Sequence, residues 1–345
     1  MNVALLHTDT HQGETFDVSQ GICKKDGHSF PGSTTLTGVM LISVIIPTYN
    51  RAHCIGRALA SVKAQRIEDL EVIIGDDAST DDTVAVVKTL MPEAKVVCLS
   101  INQGAAAARN AALKLAKGVL IAFLDSDDEW LPGKLEKQIR FLRENKEVGV
   151  CGSGHLLFCK NGSRVDFPGK NPADWRLELH SAESFHGACT PLMRREVLEK
   201  VGLLDEKLRV LEDWDWMLRI SRLFKIHVLP ETLTIIHENN PSNPDNTVDS
   251  TDYFLTKHHE EFMHYGATHA ARVISQHYEN AARNLFRHHR SSQGCGMLWK
   301  SVMSAPFRNP ASLAAFPMAA VDAVLGTTFL PEVLARRNSL PLRRS

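Results

Sequence analysis

Leu41-Ile-Ser-Val-Ile-Ile-Pro-Thr-Tyr-Asn50 decides how the rest of the chain is read. Its first seven residues are a short apolar run, rich in β-branched side chains and closed by Pro47, which suits a strand buried on both faces of a parallel sheet. Asn50 is a residue type that caps a following helix, and Ile55, Ala58, Leu59 and Val62 then fall at helical spacing. The same alternation repeats downstream. Strands are predicted at Leu70–Gly75, Lys95–Leu99, Val119–Leu124 and Val148–Cys151, and helices at Thr83–Leu90, Ala105–Ala116 and Lys134–Asn145. Strand, helix, strand at this spacing means an α/β chain with a doubly wound, mainly parallel sheet, whose ligands sit at the carboxyl ends of the strands.

Outward from this region the pattern is weaker. Residues 1–40 are rich in Gly, Ser, Thr and His and show no periodicity, so they read as a poorly ordered leader. Residues 152–174 suggest loops and a hairpin. Helices return at Arg194–Val201 and Glu212–Leu223, with a last short strand at Ile226–Leu229. A Pro/Asn/Asp linker at Asn239–Asp249 separates a domain at 41–240 from a helical extension at 250–345. Every polar motif lies upstream of that linker, so the part after about residue 250 reads as dispensable for ligand binding.

Hydrophobic residues make up 43% of the 345 and charged residues 23%, an ordinary globular mixture. The formal net charge of −1 gives no field that would draw nucleic acid, and no basic patch with interleaved aromatics is present. Seven scattered cysteines, none in a CxxC pair, read as reduced thiols and place the protein in the cytoplasm. The opening residues show no secretory signal, and no run of eighteen apolar residues is free of charge. The tail at Ala311–Leu334 is apolar on part of its circumference and is followed by Arg336, Arg337, Arg343 and Arg344. That pattern fits a peripheral contact with an anionic membrane, a helix packed on the domain, or a homodimer contact.

The polar clusters follow the strand ends. They are Pro47-Thr48-Tyr49-Asn50, Asp76-Asp77-Ala78-Ser79-Thr80-Asp81-Asp82, Asn102-Gln103-Gly104 with Arg109 and Asn110, and Asp125-Ser126-Asp127-Asp128. A parallel sheet puts all four on one edge. So many carboxylates would raise one another's pKa, and Mg²⁺ or Mn²⁺, shared with diphosphate oxygens, removes the repulsion. The absence of GxGxxG after the first strand disfavours a dinucleotide oxidoreductase, and the absence of GxxxxGK[ST] disfavours a P-loop nucleotidase.

Together with Gly202-Leu-Leu-Asp-Glu206 and Glu212-Asp213-Trp214-Asp215, these motifs resemble a family 2 glycosyltransferase of the GT-A fold over roughly Ile42 to His237. The resemblance implies an inverting transfer from a nucleotide-sugar donor, a UDP-sugar, to a glycan or lipid-linked acceptor, in cell-surface polysaccharide or lipopolysaccharide synthesis. It implies that Pro47, Thr48 and Asn50 line the nucleotide pocket, that Asp76 or Asp77 contacts the base, and that Arg109 lies near the ribose or phosphate. Asp125 and Asp127 match the DxD motif, with Asp125 on the ribose or sugar and Asp127 on the metal. His237 stands where the family can offer a further ligand to metal or diphosphate. Asp213 matches the general base, with Glu212 its rival.

The chain departs from the family's processive members. It has Arg219-Ile-Ser-Arg222-Leu223 where they carry Gln-x-x-Arg-Trp, which implies one sugar per encounter. Plainer readings exist for several residues. Asp76–Asp82 and Asp125–Glu129 could simply cap helices, with Asp128 doing so for a helix near Leu131-Pro132, and Glu212–Asp215 could simply meet a helix dipole. A nucleotidyltransferase would show a Gly-rich basic loop after the first strand, and Pro47–Arg51 is not one. An inactive sugar-binding relative would lack Asp127 or the Glu212-Asp213 pair, and a glycoside hydrolase would need no nucleotide. Acceptor contacts are expected within Cys151–Met193, with His186-Gly187-Ala188 bordering the sugar.

Overall fold

The computed structural model describes residues 42–159, 162–180, 189–237 and 244–305. The leader, His186-Gly187-Ala188 and the tail at Ala311–Leu334 lie outside the described residues.

The chain runs β1 (Ile42–Thr48), α1 (Ile55–Lys63), β2 (Leu70–Asp76), α2 (Thr83–Leu90), β3 (Lys95–Cys98), α3 (Ala105–Leu113) and β4 (Leu120–Phe123). It continues with β5 (Glu129–Trp130), α4 (Lys134–Glu144), β6 (Val148–Phe158), β7 (Arg164–Phe167), α5 (Trp175–His180) and β8 (Leu192–Arg194). Then follow α6 (Arg195–Val201), α7 (Glu212–Ser221), β9 (Lys225–His237), a 3₁₀ turn at Pro244–Asn246, α8 (Thr247–Lys257), α9 (His259–His264), α10 (Ala267–Arg287) and α11 (Ser291–Ser304).

The sheet order is β3-β2-β1-β4-β8-β6-β9-β5, with β7 paired to β6. The first four strands are parallel, as the strand–helix alternation predicts. The other half is mixed. β8 runs antiparallel to both β4 and β6, β9 runs parallel to β6, and β5 closes antiparallel on β9. Two elements are much longer than the apolar runs that announced them: β6 reaches Phe158 and β9 reaches His237. Both cross irregularities in register, and their outer halves carry Gly, Thr and His, which hide the strand pattern.

The faces of the parallel half divide by strict alternation. Ile42, Val44 and Ile46 pack with Val72, Ile74, Leu120, Ala122 and the buried side of α1, whereas Ile45, Ile73, Ile121 and Phe123 pack on the opposite face. On that second face the core continues through α7 into the C-terminal helices: Trp214, Trp216, Phe254, Leu255, Phe262 and Val273 belong to one buried cluster. Buried residues between 244 and 273 therefore share the core of the α/β sheet. Among the described residues no helix is long and apolar enough to cross a membrane.

One close approach sets the site. A Cβ on Gly75 would lie 2.1 Å from the Ala108 carbonyl oxygen, so glycine alone lets α3 close on β2 there. The next residue along α3 is Arg109.

Candidate active site

β1 and β2 end in register, with Thr48 opposite Asp76. Asp76 is 2% exposed; its Oδ2 accepts a hydrogen bond from the Ser79 backbone (3.0 Å), while its Oδ1 is buried and unpaired. The Thr48 hydroxyl is likewise buried and unpaired. An unsatisfied buried polar group costs on the order of 1–3 kcal/mol, so two of them on adjacent strand ends mark a place where a polar ligand would be stabilising.

Asp77 differs from its neighbour. Its two oxygens accept the Gln103 (2.6 Å) and Gly104 (2.7 Å) backbone N–H groups, so it fixes the loop that starts α3 and has no oxygen left without a donor. Asn50 does comparable work. It takes a positive φ of 51°, donates its N–H to Ser79 Oγ (2.9 Å) and accepts the Thr80 N–H on Oδ1 (2.8 Å). It does not cap α1, whose N-terminus is Cys54 without a side-chain cap. Pro47 is buried in β1 beside Gly75. Asn50 thus locks the β1–α1 and β2–α2 loops together and Asp77 ties the end of β2 to the loop before α3, while Asp76 and Thr48 are left with unpaired oxygens.

The turn after β4 carries the aspartate run. Asp125 Oδ1 pairs with Arg109 Nη2 at 2.7 Å. Asp127 Oδ2 lies 3.5 Å from Arg51 Nε, and its carbonyl accepts from Arg57 Nη2. Asp128 is buried, accepting the His237 N–H (3.0 Å) and the Cys189 thiol (3.2 Å). Burial and the charges of Asp125 and Asp127 push its carboxyl up to about 8. Asp128 is therefore no helix cap: α4 begins at Lys134, behind Gly133 and without a side-chain cap.

The His237 ring is engaged on one side. Its Nε2 meets Glu129 Oε1 at 2.7 Å, and Glu129 in turn lies 3.2 Å from Arg57 Nε. His237 thereby fastens the end of β9 beside the aspartate turn. The residues that converge on one point are Asp125, Asp128 and Cys189, whose ligand atoms all lie within 4.8 Å of one another. Two carboxylates that repel each other, with a third, Asp127, in the same turn, fit a hard divalent cation.

The second acidic group stands at the start of α7. Leu211, just before it, takes a left-handed φ of 67°, a strained conformation for a branched residue that turns Glu212 and Asp213 inward. Glu212 Oε1 pairs with Arg109 Nη1 at 2.7 Å, and Asp213 Oδ1 accepts the Trp214 N–H at 2.8 Å. Burial and the Asp213 charge push Glu212 up to about 7 against the pull of Arg109. Burial also raises Asp213, with Arg109 opposing. Arg109 was expected at the ribose or phosphate. It is 4% exposed and is held between Asp125 and Glu212. Burial would weaken its charge, but Asp125, Glu212 and Asp213 outweigh that and hold it protonated.

Sequence reasoning missed Arg51, Arg57, Glu129 and Cys189. Arg51 and Arg57 were legible as cations next to a predicted anion site. Nothing in the sequence singled out Cys189, which reaches Asp128 only because β8 pairs with β4.

The sequence profile described as Glycosyl transferase family 2 matches residues 43–202. The putative teichuronic acid biosynthesis glycosyltransferase TuaG of Bacillus subtilis is 32% identical over 56% of this chain and 77% of its own length. WfaP of Escherichia coli, described as a UDP-Glc:alpha-D-GlcNAc-diphosphoundecaprenol beta-1,3-glucosyltransferase, is 44% identical over 31% of this chain and 43% of its own. The chain spans less than two thirds of the length of several such relatives, 63% of a glycosyltransferase of Nostoc among them. Among solved structures, residues 1–349 of Staphylococcus aureus TarS in complex with UDP superpose with a TM-score of 0.56 at 22% identity, covering 88% of this chain and 93% of that one. The fold is the same, a GT-A-like α/β sheet followed by helices.

Proposed function

The chain belongs to glycosyl transferase family 2, and from that premise we propose that it moves one sugar from a UDP-sugar to a hydroxyl of a glycan or lipid-linked acceptor, with inversion. The observation that carries the proposal is the Asp125–Arg109–Glu212 bridge. It joins the aspartate turn to the Glu212-Asp213 pair across 87 residues of sequence, as a reaction between a donor and an acceptor requires. The activity described for WfaP supports a UDP-sugar donor and a lipid-diphosphate acceptor. Synthesis of a cell-surface polysaccharide fits the same relatives.

In this reading Asp76 Oδ1 and the Thr48 hydroxyl meet the base, and Asp125 meets the ribose or sugar. Mn²⁺ or Mg²⁺, held by Asp125, Asp127 and Asp128, would neutralise the diphosphate leaving group when bound. Asp213 keeps one oxygen clear of the Trp214 N–H and takes the proton of the acceptor hydroxyl. The hydroxyl oxygen forms its bond to the anomeric carbon from the face opposite the nucleotide, the carbon–phosphate oxygen bond breaks, and UDP leaves. Glu212 is occupied by Arg109, which disfavours it as the base. The basic, partly apolar tail supports work in the cytoplasm against the inner face of a membrane.

Thermal shift tests the donor side. UDP with Mn²⁺ should raise the melting temperature more than either alone, because each completes the other's coordination. Asp127→Asn should abolish that synergy together with transfer, whereas Asp213→Asn should keep it and lower turnover by roughly 10²- to 10⁴-fold. Equal shifts with and without metal would refute the metal-bridged donor site.

A further inference from the structure

Arg109 touches both halves of the site through its two terminal nitrogens. Both terminal nitrogens are engaged at 2.7 Å, one by Asp125 and one by Glu212, and its Nε is buried without a partner. It leaves α3 one residue after the point where Gly75 brings that helix onto β2, so its root is as fixed as the sheet itself. Glu212 and Asp213 are consecutive, and the left-handed Leu211 sets their direction. Any force on Glu212 is therefore felt by Asp213.

We propose that Arg109 is the positioning residue of the site: it ties the donor-side Asp125 to Glu212 and through Glu212 holds Asp213 against the acceptor hydroxyl. This rests on the reading of Asp125 as donor-side and Asp213 as base. A planar fork with two donors can join two carboxylates that approach from different elements, whereas a point charge cannot hold both in a fixed geometry. Asp213 faces Arg109 from α3, Asp125 from the turn after β4 and Glu212 on its own helix. Of these groups Arg109 is the cation. Without it three carboxylates share a buried site, Asp213 keeps its proton to higher pH, and the fraction able to act as base falls.

The test uses the full chain with Arg109→Met, Arg109→Lys, Glu212→Gln and the Arg109→Met/Glu212→Gln pair. Three quantities are measured: UDP affinity in Mn²⁺ by calorimetry, the pH profile of slow UDP-glucose and UDP-GlcNAc hydrolysis, and stability in urea. Arg109→Met should lower kcat about 10²-fold, the scale of a misplaced catalytic group, and move the acid limb to higher pH. Its UDP affinity should change by less than about threefold, because Arg109 does not touch the nucleotide. Arg109→Lys keeps the charge and loses the fork, so it should restore the acid limb and leave kcat low. Adding Glu212→Gln to Arg109→Met should recover part of the lost stability, since one of the three carboxylates left without a cation is then neutral.

A loss of UDP affinity of about tenfold or more with an unmoved acid limb would make Arg109 a nucleotide ligand and overturn the proposal. Strictly additive stability changes would overturn it as well. Failure of the unaltered protein to bind UDP with Mn²⁺ would instead refute the proposed function. The urea cycle needs no substrate and would still decide whether Arg109 braces Glu212.

Discussion

Asp215 lies two residues beyond the proposed base and has no exposed surface. Arg219 Nε (2.8 Å), Lys257 Nζ (2.6 Å) and His258 Nε2 (2.9 Å) surround it, so one carboxylate joins α7 to α8. The His258 tautomer follows from its other nitrogen: Arg222 can only donate, so Nδ1 accepts and Nε2–H donates to Asp215. Burial alone would raise the Asp215 pKa, yet His258, Lys257 and Arg219 hold it far below the usual carboxylate range. Asp215→Asn keeps the shape and removes the charge that these three donors share. Breaking a buried ion pair from one side costs about 3–5 kcal/mol. The Arg219 and Lys257 side chains are 18% and 26% exposed, so water recovers some of the loss. The lower end of that range, about 3 kcal/mol at pH 7, is expected. A domain's whole stability is only about 5–15 kcal/mol, so the change is large.

Urea unfolding at several pH values measures it. The folded-state pKa is depressed, so the stabilisation is present above the unfolded value of about 3.9 and is lost as pH falls towards and through the folded one. The gap between the unaltered protein and Asp215→Asn should therefore be full at pH 7 and shrink below about pH 4. A loss under about 1 kcal/mol at pH 7, the scale of an exposed pair, would refute the reasoning. So would a gap that does not change with pH.

Two further outcomes are expected. Thr48→Val removes a hydroxyl that has no partner, so stability should hold or rise by up to about 1 kcal/mol while UDP affinity falls several-fold; unchanged affinity would take Thr48 out of the nucleotide site. A chain ending at residue 243 should lose cooperative unfolding, because Phe254, Leu255 and Phe262 are each worth about 1.5–3 kcal/mol of burial; a soluble, UDP-binding product would show that the core closes without them.

The truncation result bears on what the sequence could and could not convey. β1 to β4 were legible because each strand–helix unit is local: its apolar alternation and the turn that closes it lie within about thirty residues. The composition of Asn239–Asp249 suggested a boundary. The buried stripe beyond it, Phe254, His258 and Phe262 at spacings of four, is the signal that these helices pack inward, and it is visible only as one face among several.

The site followed the same division. Sequence placed Asp76, Asp77, Asp125, Asp127 and Asp128 at one sheet edge, and there the five are chemically the same residue. Their partners make them different. Asp77 is filled by two backbone N–H groups and Asp128 by a thiol and the end of β9, Asp125 is paired on Oδ1 by Arg109, and Asp76 keeps an oxygen for which the protein supplies no donor. Those donors come from α3 and the loop before it, the segment just before β8 and the end of β9, up to 109 residues away, and no local pattern encodes them. Arg109 shows the limit most clearly. Its position in Ala105–Asn110 marks it as part of a motif, but its work is set by Glu212, whose inward direction depends on the backbone of Leu211. In a site built of like charges, the part each carboxylate plays follows from which of its oxygens the fold has already paired, and finding that requires knowing where every donor in the neighbourhood has gone.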